Sequence, residues 1–132
     1  MDRLFLDANV LFSAAYRADA GITRLWKLED VELLTSAYAA EEARVNLAEE
    51  DQQRRLQELL ARVTIITRLA HLPPGVTLPA KDQPIFQAAL YARATHLLTG
   101  DKQHFGKYFG RRVGGIVVLP PAEYFRRPSK RN

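Results

Sequence analysis

An apolar run cut short by an acid constrains this chain more than any other feature. Residues 3–12 read RLFLDANVLF, and Leu4, Phe5 and Leu6 fit a strand buried on both faces. The run ends at Asp7. An ionised carboxylate left unpaired in a core is strongly unfavourable, so Asp7 must be hydrogen-bonded, neutralised or holding a cation. In an open parallel sheet, ligands bind in the crevice outside the carboxyl ends of the strands, and Asp7 falls at such an end.

The rest of the chain alternates in the same manner. Residues 8–15 read as a loop entering a short helix, and residues 22–28 as a second helical stretch with Trp26 on its core face. Residues 31–35 (VELLT) form an expected second strand. Ser36 is placed to cap a helix over residues 37–48, which carries Glu41 and Glu42. Helical spacing resumes over residues 54–63, leaving one bent helix or two as open readings. A third strand is expected over residues 63–67 (VTIIT), a helix over 82–94, a fourth strand over 96–99 and a fifth over 116–119. Residues 106–115 read only as glycine-rich and basic. This alternation predicts an α/β fold: three α/β/α layers around a mainly parallel, doubly wound sheet of four to five strands.

At 132 residues the chain fits one domain, expected over residues 1–126 with a basic tail at 127–132. That tail reads as a solvated terminus or an RNA contact. No apolar stretch approaches a membrane span and no signal peptide is visible, so the expectation is a cytoplasmic protein with no membrane partner. With no cysteine, thiol nucleophiles and thiolate metal sites are excluded. A net charge of +4 suits a polyanionic partner.

Four acids stand at suggestive places: Asp7 and Asp101 after strands, Asp82 at a helix start and Glu42 inside a helix. Each has an ordinary alternative. Asp82 before Gln83-Pro84 suits a helix cap, Asp101 suits a turn, and Glu42 suits a solvated face. Together they suit a hard cation such as Mg²⁺ or Mn²⁺, which activates water and neutralises charge on a phosphate. Paired carboxylates also cleave glycosides, but that chemistry needs a neutral acid in an apolar pocket and a sugar-stacking surface, and neither is evident.

The segments LDANVLFSA (6–14), TSAYAAEEARVNL (35–47), KDQPIFQAAL (81–90), LLTGDKQHFG (97–106) and VVLPPAEYF (117–125) resemble, in order and spacing, a PIN-domain protein. The likeness is to the toxin-component branch related to the VapC ribonucleases. It implies a ribonuclease whose acids, carried onto Asp7, Glu42, Asp82 and Asp101, bind Mg²⁺ or Mn²⁺, with Asn9 and Thr99 in support. Glu41 is the alternative if the helix register shifts by one. The resemblance also implies an RNA substrate, a small antitoxin and a homodimer. One position departs from many relatives, which carry a further acid where this chain has Gln103, and this weakens the case for a second ion. His104, beside it, reads as a structural or solvent residue rather than a proton shuttle, since a hydrated metal can supply the base. Arg111, Arg112 and Lys102 are placed to steer a polyanion.

Other functions fit less well. A dehalogenase-type phosphatase needs an aspartate where Asn9 stands, and a receiver domain needs one ending the third strand, where Thr67 stands. A dinucleotide fold needs a glycine fingerprint after the first strand. A non-catalytic PIN-like module binding RNA or protein stays open as the alternative.

Overall fold

The structure is a computed structural model and describes residues 1–126, so the expected basic tail at 127–132 lies outside the described residues. Its first strand, β1 (Asp2–Leu6), is the apolar run, and Leu4, Phe5 and Leu6 are fully buried. Helix α1 (Ala8–Tyr16) follows directly, with Asp7 as its N-cap. A 3₁₀ segment (Gly21–Lys27) replaces the regular helix expected over 22–28. Trp26 is nevertheless in the core, donating from Nε1 to Leu59 O at 3.0 Å.

Strand β2 (Val31–Ser36) leads into α2 (Ala37–Asn46), whose start is fixed by Ser36 Oγ accepting from Ala39 N at 3.0 Å. The question of one bent helix or two is resolved as two, because α3 (Glu50–Leu60) has its own start. There the Gln52 side chain reaches back to accept from Glu49 N at 3.0 Å. Strand β3 (Thr64–Ile66), helix α4 (Gln83–Tyr91) and strand β4 (His96–Leu98) come next. Helix α4 is shorter than the expected 82–94 because Arg93 takes a left-handed φ of 56°. A short helix α5 (Lys102–Phe105), strands β5 (Arg112–Val113) and β6 (Ile116–Leu119), and α6 (Pro121–Arg126) complete the chain.

The sheet runs β3-β2-β1-β4-β6-β5, parallel throughout except for the β5–β6 pair. Strand order therefore moves outward from β1 in one direction to β3, then returns past β1 to β4 and β6. Because parallel crossovers are right-handed, α1, α2 and α3 cover one face and α4 the other. The reversal lies between β1 and β4. That is the position at which doubly wound sheets open a crevice at their carboxyl edge.

The fold is the expected mainly parallel α/β sandwich, with six strands among the described residues rather than four or five. The additional strand, β5, comes from the glycine-rich segment. Val113 pairs with Ile116, leaving Gly114 and Gly115 as a two-residue turn with φ of 58° and 84°. Hairpin turns of this kind need positive φ at both central residues, which glycine adopts without a steric penalty. Gly114 is also tightly packed: a Cβ there would lie 2.9 Å from Leu90 Cδ2 and 3.3 Å from Pro73 Cγ, whereas Gly115 has open space around it.

Gly115→Ala should therefore lose only the backbone term, about 1–2 kcal/mol of unfolding free energy. Gly114→Ala should lose more, since Leu90 must also move. Urea denaturation of both variants measures this, and equal losses would contradict the packing contribution.

Candidate metal centre

The crevice between β1 and β4 is lined by short polar side chains that fix one another. Asp7 is only 4% exposed. Its Oδ1 accepts from Ala8 N at 2.7 Å, and its Oδ2 accepts from Thr99 Oγ1 at 2.8 Å and from Asn9 Nδ2 at 3.1 Å. Asn9 in turn accepts from Gly100 N at 2.8 Å, and Thr99 Oγ1 accepts from Asp101 N at 3.1 Å. Thus Asp7, Asn9 and Thr99 form a single network joining the ends of the two central strands. Each polar atom in it has a partner, which is what makes burial of the carboxylate tolerable.

Electrostatically the site is strained. Burial pushes the Asp7 carboxyl up to about 6, the hydrogen bonds from Thr99 and Ala8 pull the other way, and the charges of Asp82 and Glu42 add to the rise. Glu42 thus belongs to the same acidic field as Asp7 and Asp82. Glu41 does not: it is exposed and bound to Arg44, with Nη2 to Oε2 at 2.6 Å. Arg44, three residues on along α2, accompanies this outward glutamate.

Asp82 and Asp101 meet on the other side of the crevice. Asp82 stands at the N-cap position of α4, yet its side chain makes no capping hydrogen bond, so the ordinary reading as a helix cap does not hold. Asp101 does cap: its Oδ1 accepts from His104 N at 3.1 Å, opening α5. The other oxygens of both acids face His104, whose Nδ1 is 2.9 Å from Asp82 Oδ2 and 2.9 Å from Asp101 Oδ2. Neither approach is aligned as a hydrogen bond. Asp82 Oδ2 and His104 Nδ1 are buried atoms without a hydrogen-bond partner. Among the described residues, Asp82, Asp101 and His104 are the group whose donor atoms, all within 4.8 Å of one another, could hold a metal ion. A buried carboxylate oxygen lacking any donor fits such a cation.

Two residues that matter to this geometry were not singled out from the sequence as part of the site. His104 was read there as structural or solvent-facing, although its position three residues after Asp101 places both on one face of α5. Tyr38 lies four residues before Glu42 on α2 and donates from its hydroxyl to Lys81 O at 3.0 Å, tying α2 to the segment that presents Asp82. Its phenol is held above the ordinary value by burial and by the nearby Glu42 and Asp82 charges, with Asp7 adding to them and Lys81 opposing. Gln103 is exposed. An open groove of about 470 Å³ adjoins the crevice, lined by Asn9, Ser13, Gly100 and Asp101 among others.

The fold and the acidic crevice place the chain among known proteins. A sequence model described as the PIN domain matches residues 3–103, and the chain belongs to that family. No match is found among curated proteins. Among solved structures, it is similar to a chain of VapBC2 from Rickettsia felis, a complex bound to a DNA fragment from their promoter. The identity is 15%, the TM-score 0.64, and the match covers 89% of this chain and 98% of that one. It is also similar to a chain of FitAB bound to an IR36 DNA fragment, at 18% identity and TM-score 0.55, covering 96% and 99%. A third likeness is to FitAcB from Neisseria gonorrhoeae, at 20% identity and TM-score 0.53, covering 90% and 98%. At these identities the likeness is one of fold. Among the described residues, no helix is long and apolar enough to cross a membrane.

The raised Asp7 pKa sets a pH dependence for the metal-free protein. Between the ordinary carboxyl value of 3.8 and about 6, the folded state holds a proton that the unfolded chain releases. Stability therefore falls as pH rises across that window, by roughly 3 kcal/mol from this group, and the penalty stays constant above it. Urea unfolding in the presence of a chelator at pH 4 to 7 should show this decline in the parent and its loss in Asp7→Asn. An identical pH profile in the two proteins would contradict it.

Proposed function

We propose that this chain is a Mg²⁺- or Mn²⁺-dependent endoribonuclease and the toxin of a type II toxin–antitoxin pair, with residues 1–126 acting as one PIN unit. The observation that carries the reading is the buried Asp82 Oδ2, which lacks a hydrogen-bond donor and faces Asp101 in a crevice where Asp7 and Glu42 share the same negative field. In this reading Asp7, Glu42, Asp82 and Asp101 hold the ion. When bound, such an ion supplies an activated water and neutralises charge on the phosphate under attack.

The chain's own residues then do the positioning. Asn9 and Thr99 lock the Asp7 carboxylate in one orientation through the contacts at 3.1 and 2.8 Å. Tyr38 fixes the approach of the Asp82 segment to α2. Lys102, Arg111 and Arg112 are exposed and give the strand a favourable electrostatic approach to the groove beside Asn9 and Asp101. Hydrolysis of this type leaves a 5′-phosphate and a 3′-hydroxyl.

Likeness to chains of the VapBC2 and FitAB complexes supports a protein partner, which this reading takes to be a small antitoxin; the homodimer belongs to the reading as what the family resemblance implies. The net charge of +4 supports a polyanionic substrate.

Incubation of RNA with the parent protein and Mn²⁺ should give cleavage that a chelator abolishes. Asp7→Asn and Asp82→Asn should each slow it about a hundredfold or more. Cleavage by Asp7→Asn as fast as by the parent would overturn the assignment.

A further inference from the structure

The acids of the crevice do not exhaust its donors. His104 Nδ1 lies 2.9 Å from Asp82 Oδ2 and 2.9 Å from Asp101 Oδ2, and is itself a buried atom without a hydrogen-bond partner. We propose that His104 Nδ1 is a nitrogen ligand of the cation site, and that this nitrogen makes the site prefer Mn²⁺ and later transition ions over Mg²⁺. The inference rests on the metal-dependent reading above and adds to it the choice of ion.

The spacing suits the role. Two donors at right angles about an ion at the 2.0–2.1 Å of Mg²⁺ stand about 2.9 Å apart, as both separations from His104 do, and the larger Mn²⁺ needs only a slight spreading of the three atoms. Neither contact, each within ion-pair distance, has the alignment of an N–H···O bond, and Asp82 Oδ2 has no other donor. In the tautomer that carries its ring proton on Nε2, the Nδ1 lone pair would face two carboxylate oxygens. That arrangement is repulsive without a cation between the three atoms.

The local sequence holds the imidazole there. Asp101 Oδ1 accepts from His104 N at 3.1 Å, so the residue that offers one oxygen to the cluster also anchors the backbone of the histidine. The following Phe105 is fully buried and fixes that side of α5 against the core. Gln103 is exposed, so His104 is the side chain of α5 that reaches the cluster. Magnesium favours oxygen ligands and gives up its water reluctantly, whereas imidazole nitrogen suits first-row transition ions, with affinity rising from Mn²⁺ through Co²⁺ to Ni²⁺.

The test compares parent, His104→Gln and His104→Asp by titration with Mn²⁺ and Mg²⁺, and by pulsed electron paramagnetic resonance of bound Mn²⁺. Melting temperatures in chelator check that each variant folds. The parent should show ¹⁴N coupling to Mn²⁺. His104→Gln should lose that coupling and bind Mn²⁺ at least about tenfold more weakly, the lower end of what supporting residues contribute at metal sites, with a smaller change for Mg²⁺. His104→Asp should recover binding without the nitrogen signal and shift the preference towards Mg²⁺.

If the parent binds Mn²⁺ without ¹⁴N coupling and His104→Gln keeps the Mn²⁺ to Mg²⁺ ratio, the inference fails while the nuclease reading stands. If the parent binds neither ion, both fail. Should His104→Gln fail to fold, the presence or absence of ¹⁴N coupling in the parent decides the question.

Discussion

The Asp7 carboxylate, sunk at the carboxyl end of β1 and gripped by Thr99 from beyond β4, is the contact on which the arrangement depends. It joins the two strands between which the sheet reverses direction, and it is the first charge the chain places in the crevice. Burial alone would expel it. The network of Ala8, Asn9 and Thr99 satisfies its oxygens, but hydrogen bonds do not cancel the repulsion from Asp82 and Glu42. A fold that keeps three acids in one field retains a standing electrostatic cost, and a bound cation offsets it.

Topology explains why residues so far apart in the chain converge. Asp7, Asp82 and Asp101 each follow or precede a central element at the same edge of the sheet, and Glu42 reaches that edge from α2, whose start is pinned by Ser36 at the end of β2. The parallel strands bring three loops and one helix to the same rim, while the strands themselves are mostly apolar. Apolar packing and site construction are therefore separable: Leu4, Phe5, Leu97 and Leu98 hold the sheet, and the next residues along the chain carry the chemistry.

Much of this was legible from patterning. The Leu-Phe-Leu run before Asp7, the Ser36 cap and the β-branched third strand announce the α/β alternation because buried parallel strands and capped helices leave strong local signals. Strand β5 was not legible as a strand, since two residues carry no periodicity; the Gly-Gly pair between it and β6 was the available hairpin signal. The start of α3 was hidden because its cap uses a glutamate and a glutamine rather than a serine or aspartate. Which of Glu41 and Glu42 faces inward depended on the rotation of α2 about its axis, set by Ala39 and Ala43 against the core, and the Arg44 pair only accompanies the outward Glu41. Asp82 looked like a cap because its neighbours are those of a cap. Only the coordinates show its oxygen turned instead toward His104. His104 reads from the sequence only as a structural or solvent residue and Tyr38 carries no signal there, because the significance of both comes from side chains distant in sequence.

Anomalous diffraction at the manganese edge, from crystals of the parent protein grown with Mn²⁺, tests the central claim most directly. A peak in the crevice, within bonding distance of Asp82 Oδ2 and an Asp101 carboxylate oxygen, is the expected result. Manganese found only on outer surfaces, with ordered water donating to Asp82 Oδ2 in its place, would contradict it.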